Sequence, residues 1–361
     1  MARLLVLTKR QYMNKDLLDD KFGRFRELPI ALAGTGHRVN GTCLSYKKKS
    51  EGIFQDGPVR WQSHNVGIAG FGLIKFISAA YRMAKNTDLI WAGSDSFYGI
   101  IACMIGKIRR VPFIFDIYDN FDEFFVGRLP VMRQLYHWAI RHSDALTTFS
   151  NPYARYLSSN HTSRPNVIVI ENAVRKDLFR SLDKKKCRDY FNLPKDAPII
   201  GTAGALYKKR EIDLLFKAYN NLAAKIPDLR LALAGPRDSN SRIPSGEKIH
   251  DLGHLPFKDV PTILNALDVA VICYANDNYG KYCFPQKTRE IMACDVPLVA
   301  ANVGSLKEIF AHAPELLYEP GNLASLEKTI ENRLHDRRTG YEKPPTWSDM
   351  AKVLDSVITN L

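Results

Sequence analysis

No run of apolar residues in this 361-residue chain reaches the roughly 18 to 20 that a bilayer span requires, and "LLVLT" near the start is far shorter than the apolar core of a secretory signal. A cytosolic location is therefore expected. The six cysteines, Cys43, Cys103, Cys187, Cys273, Cys283 and Cys294, include no Cys-x-x-Cys pair. Neither a zinc site nor a disulfide framework is expected of them. No Asp-x-Asp set closes a strand, so no metal and no other cofactor are expected. Internal repeats and low-complexity tracts are lacking too. Nowhere do aromatic and basic residues interleave as they do in RNA-binding modules, which argues against a nucleic-acid partner.

What is present is an ordinary globular composition, 45% apolar and 25% charged, in a chain long enough for two cores. The net charge of +13 is unevenly spread: residues 1–175 carry 24 Lys and Arg against 14 Asp and Glu, while residues 176–361 carry 27 against 24. The excess points to an anionic partner such as a membrane surface, or to nothing more than solubility. Strand and helix patterns alternate along the chain, from "RLLVLTK" through "DLIWAG", "PFIFDIYD" and "ALTTFS", then from "APIIGTAGAL" through "LRLALAG" and "VAVICY". Such alternation predicts doubly wound parallel sheets. The charged stretch "DKKKCRDYFNLPKDAP" separates two series, giving domains 1–175 and 176–345. A last helix over 346–361 is free to pack on either.

The order of landmarks resembles the retaining GT-B glycosyltransferases of family four. "GHRV", "SDALTTFS", "VIENAV", "GTAGALYKKREIDLLFKAY", "LALAGP" and above all "REIMACDVPLVAANVGSLKEI" carry the likeness. It implies an α/β fold of GT-B type, two Rossmann-like domains facing a central cleft. It also implies a nucleotide-sugar donor held by the second domain, through Gly204, Lys209, Arg210, Gly235, Leu255, Lys287 and Glu290. Glu290 would accept hydrogen bonds from ribose hydroxyls at a helix start, where the peptide dipole favours an anion, and the free N–H groups of "CFPQK" with Lys287 would face the diphosphate. Read without the family, Glu290 is equally a residue that complements a helix dipole, with Lys287 a solvated neighbour.

Departures from the pattern are specific. The second glutamate of the family falls on Tyr282, so backbone amides of Tyr282, Cys283 and Phe284 are expected to read the sugar. Asp295 replaces the glycine after the helix, and Ala205 replaces an arginine that helps to neutralise the leaving diphosphate. Arg210, flanked by Lys208 and Lys209, keeps positive charge nearby, as a leaving-group clamp or as a solvated loop. In the first domain only Gly23 of "KFGRF" remains from a glycine-rich loop, as a phosphate contact or a plain helix start. Asp116 and Asp119 in "FDIYDNFDEF" are candidates to orient or deprotonate an acceptor hydroxyl, or caps for the next helix.

The resemblance thus implies a metal-independent retaining transferase, with a UDP-sugar favoured and a lipid-linked or cell-surface glycan as acceptor. A non-catalytic partner subunit and a nucleotide-sugar epimerase are the alternatives. "SYKKKSEG" and the amphipathic 71–84, with Lys75, Arg82 and Lys85, predict peripheral binding to an anionic inner membrane face. The other reading makes 71–84 a core helix and the lysines a solvated turn.

Overall fold

The computed structural model describes residues 1–12, 15–67, 70–123, 129–160 and 167–361. The chain divides into two compact units: Met1–Asn172 with Trp347–Leu361, and Ala173–Thr346. The break falls slightly before residue 175, and the last helix belongs to the first unit.

In the first unit eight strands lie in the order Val167–Val169, Ala145–Thr148, Phe113–Ile117, Leu89–Gly93, Arg3–Lys9, Arg38–Ser45, Val59–Asn65 and Gly52–Asp56. Seven are parallel; Gly52–Asp56 runs antiparallel to Val59–Asn65, a hairpin edge that the expectation of a wholly parallel sheet misses. The central strands are apolar on both faces, Leu4 to Leu7 and Leu89 to Ala92 being buried, because helices cover both sides. The helix Trp347–Thr359 buries Trp347, Ala351, Leu354 and Val357 and packs on the helix Arg24–Gly34. His37 ties this region together: its Nδ1 accepts from the Ala2 amide at 3.1 Å and its Nε2 lies 2.7 Å from Asp355.

In the second unit six parallel strands lie in the order Ile249–Asp251, Arg230–Ala234, Ile199–Ala203, Val269–Ile272, Leu298–Ala301 and Leu317–Tyr318. Its helices include Ile212–Lys225, Asn278–Tyr282, Gln286–Ala293 and Leu323–His335. Five of the six cysteines are buried, Cys283 partly so, and all are free thiols. Among the described residues no helix is long and apolar enough to cross a membrane.

Candidate functional site

In the second unit the residues of interest gather at the C-terminal ends of the strands Ile199–Ala203, Arg230–Ala234 and Val269–Ile272. That edge is where loops of a doubly wound sheet open and ligands bind. Two glycines shape it. Gly235, at φ 135°, passes so close to the neighbouring turn that a Cβ there would lie 1.9 Å from the Gly204 carbonyl oxygen. Gly204, at φ 140°, leaves the space over which Lys287 lies; a Cβ would meet its Nζ at 2.9 Å. The turns are joined by hydrogen bonds from Gly204 N to Ala234 O and from Leu206 N to Pro236 O, both 2.8 Å.

Lys287 stands in the first turn of the helix Gln286–Ala293 and donates to the Thr202 hydroxyl at 3.3 Å. Arg210 closes the 3-10 turn Lys208–Arg210 and is only 6% exposed. Its guanidinium donates to the Tyr279 hydroxyl at 2.8 Å and lies 5.1 Å from the Tyr274 ring centroid and 5.6 Å from that of Tyr279. Its Nε is buried without an acceptor. Neither Lys287 nor Arg210 forms an ion pair among the described residues. Lys209 also lies over the Tyr279 ring, Nζ 5.1 Å from the centroid.

Glu290 sits in the second turn of its helix, not at the start, because the helix already begins at Gln286, four residues before it. The dipole therefore does not account for it. It is 7% exposed, and burial pushes its carboxyl up to about 7 against the opposing pull of Lys287. Burial, helped by the charge of Arg210, drags the Lys287 ammonium down to about 8. These are groups held in costly states, as expected of a surface shaped for a charged ligand.

The expected reading of sugar hydroxyls by the amides of Tyr282, Cys283 and Phe284 needs correction at Cys283. Asp277 caps the short helix Asn278–Tyr282, accepting from Gly280 N at 2.7 Å, and the Cys283 amide closes it on the Tyr279 carbonyl at 2.9 Å. Phe284 is buried under the Arg289 guanidinium, and Tyr282 is half-buried. Leu255 is half-buried and packs against the core, so its side chain is structural. Asp295 adopts φ 55°, the left-handed conformation a glycine would favour, and Thr339 holds its carboxylate.

In the first unit Gly23 is the N-cap of the helix Arg24–Gly34, at φ 100°. Asp116 is corrected from candidate base to anchor. It is 1% exposed, both carboxylate oxygens meet Arg24 at 2.8 and 2.9 Å, and the Thr147 hydroxyl donates to it at 2.6 Å. Three of its acceptor sites are thus taken within the protein, which makes it the buried anchor of Arg24. Asp119, whose backbone carbonyl accepts from Tyr153 Oη at 2.9 Å, lines a cavity of about 480 Å³ with Lys9, Leu44, Tyr46, Asp95 and Phe97. Sequence reasoning missed Thr202, Tyr274 and Tyr279; the tyrosines of "CYANDNYGKY" were the available signal.

Residues 197–336 match the family described as Glycosyl transferases group 1, and residues 24–173 the Glycosyl transferase 4-like domain. The chain belongs to the group 1 glycosyl transferases. Among relatives, 2-deoxystreptamine glucosyltransferase of Streptomyces kanamyceticus is 24% identical over 219 residues, 57% of this chain and 55% of that protein. D-inositol 3-phosphate glycosyltransferase of Mycobacterium tuberculosis is 28% identical over 177 residues, 45% and 35% of the two. The chain thus spans about half the length, or less, of the curated relatives it matches. Among solved structures, sucrose-phosphate synthase from Thermosynechococcus elongatus superposes with a TM-score of 0.71 at 19% identity, covering 100% of this chain and 95% of that one. HepE of Anabaena with UDP-glucose superposes with a TM-score of 0.69 at 18% identity, covering 100% and 97%. The fold of this group 1 member is the GT-B fold, two Rossmann-like units.

Proposed function

We propose that the protein transfers a sugar from a nucleotide-sugar donor to an acceptor hydroxyl with retention of configuration. One observation carries this reading: the buried Arg210 and the half-buried Lys287 form no ion pair among the described residues, at a strand edge that also presents Glu290, whose carboxyl burial pushes up to about 7. Two unneutralised cations suit a diphosphate, whose charge grows as the sugar leaves. A deprotonated Glu290 accepts from vicinal ribose hydroxyls. A UDP-sugar is favoured, supported by the HepE complexes with UDP and UDP-glucose, although a starch synthase neighbour was solved with ADP.

The acceptor in this proposal is a lipid-linked or cell-surface glycan intermediate, met at an anionic membrane. The helix Phe71–Met83 turns Phe76, Ala79 and Ala80 inward, yet leaves Phe71 68% and Ile74 65% exposed beside Lys75 and Arg82. That pattern suits a helix lying in a lipid interface. The test is donor turnover with a panel of UDP-, GDP- and ADP-sugars. Slow release of sugar and nucleotide in the retained anomeric form, lost in Glu290→Ala, is expected. An epimerised donor, or no turnover with any donor, overturns the reading. For the membrane, co-sedimentation with anionic but not neutral vesicles, reversed by salt, is expected; absence of binding to both sinks the lipid-linked acceptor.

A further inference from the structure

We infer a second anion site, for a phosphate ester, on the first unit at the opposite end of its sheet. Arg3 pairs with Arg38 across neighbouring parallel strands, and Asn40, two residues on, pairs with Arg60 on the next strand. Side chains two apart share a face, so the three arginines stand on one sheet face, on strands about 4.8 Å apart. They line a cavity of about 450 Å³ together with Asn40, Trp61 and Gln62. Among the described residues no aspartate or glutamate lines it.

The charge balance is what singles out this cavity. Arg3 is neutralised by Asp88 at 2.6 Å, and its guanidinium holds that carboxyl down at about 2. Among the described residues the exposed Arg38 and Arg60 have no acceptor and no ion pair, and the side-chain amides of Asn40 and Gln62 are likewise unengaged. Like charges held this close on adjacent strands repel unless a counter-ion lies between them. A phosphate ester supplies that charge and accepts from forked guanidinium and amide donors at once.

The site stands apart from the cavity at Asp119 on the same unit. Within the first unit it lies at the N-terminal ends of the strands, while Asp119 and Lys9 lie at the C-terminal ends, about 20 Å away along a seven-residue strand. Its ligand is therefore not the acceptor hydroxyl of the proposed reaction. The phosphate comes from a soluble metabolite or from a lipid headgroup, and the test separates the two.

Inorganic pyrophosphate is titrated by calorimetry into the full chain carrying Arg210→Ala, which weakens the donor edge. Saturable binding is expected, weakened at least about 10-fold by adding Arg38→Gln and Arg60→Gln. The same pair of changes in the otherwise unaltered chain should leave UDP affinity and the thermal midpoint in place, since both side chains are exposed. Pyrophosphate affinity unchanged by the pair, or no binding in the Arg210→Ala chain, overturns the inference. Phosphatidate vesicles whose capture drops with the pair but not with Lys75→Gln and Lys85→Gln identify a lipid headgroup; capture indifferent to the pair, with pyrophosphate binding still sensitive to it, identifies a soluble ester.

Discussion

Gly204 and Gly235 permit a paired experiment, because the same added methyl meets a side chain in one case and backbone in the other. Gly204→Ala forces a side chain into a left-handed backbone at φ 140°, a strain of about 1–3 kcal/mol. The obstacle beyond is only the Cε and Nζ of Lys287, at 3.0 and 2.9 Å, and a lysine end can swing aside. The second unit should therefore lose roughly 2–12 °C in thermal midpoint. The greater loss should be functional: the displaced ammonium no longer faces the diphosphate, and UDP affinity should fall roughly 10- to 100-fold. Gly235→Ala meets the Gly204 carbonyl oxygen at 1.9 Å and its carbon at 2.6 Å, which only separation of the two turns relieves. That separation breaks both 2.8 Å bonds joining them, each contributing about 0.5–1.5 kcal/mol. Added to the φ strain, the cost should come to about 2–6 kcal/mol, above the about 1–3 kcal/mol expected of Gly204→Ala. Differential scanning calorimetry and UDP titration of both variants check this. Equal midpoints for the two, or full UDP affinity in Gly204→Ala, would refute the reasoning.

Stability should also report the Lys287–Glu290 pair. Because the folded Glu290 carboxyl titrates near about 7 instead of 4.5, stability present below about 4.5 is lost as pH rises through 7. Because folded Lys287 titrates near about 8 instead of 10.5, stability present above 10.5 is lost as pH falls through 8. The urea midpoint should pass through a minimum between these values, and Glu290→Gln should remove the acid limb; an unaltered acid limb in that variant counts against the assignment. Arg210→Ala should lower kcat more than it raises KM, and Tyr279→Phe, removing a single hydrogen bond to it, should cost only about 5-fold. An effect on KM alone would make Arg210 a binding residue. Asp116→Asn should cost about 3–5 kcal/mol by leaving Arg24 buried beside half a partner, while UDP binding persists; a variant that keeps its midpoint but loses turnover would restore Asp116 as a base.

The doubly wound architecture was legible because its strands are apolar on both faces and its punctuation is local. Strand ends at "TAG" and "LAG" and the "REIMAC" helix follow from residues within one turn of one another. The function of Asp116 was not legible, since its partner Arg24 lies 92 residues earlier and nothing in "FDIYD" announces it. The amide of Cys283 was misjudged for a similar reason: Asp277, several residues upstream, folds a short helix that consumes it. Glu290 was found by pattern, but the cause first given for it, a helix dipole, fails because the helix already begins at Gln286, four residues earlier, which puts Glu290 in the second turn. The cage of Tyr274 and Tyr279 around Arg210 needs the two loops to meet, which no spacing reveals.

The return of Trp347–Thr359 to the first unit makes Ala173–Thr346 an insertion, and its two ends are adjacent: Val174 bridges Thr346 and its amide bonds the Pro345 carbonyl at 3.1 Å. On the ribosome the order of completion is therefore reversed. At about 5–20 residues per second, the inserted unit emerges whole roughly 9–35 s after the end of Met1–Asn172. Throughout that interval the helix Arg24–Gly34 lacks the cover of Trp347, Ala351, Leu354 and Val357. The unit synthesised second can finish folding first, and the first must keep an uncovered helix from straying until the last residues arrive.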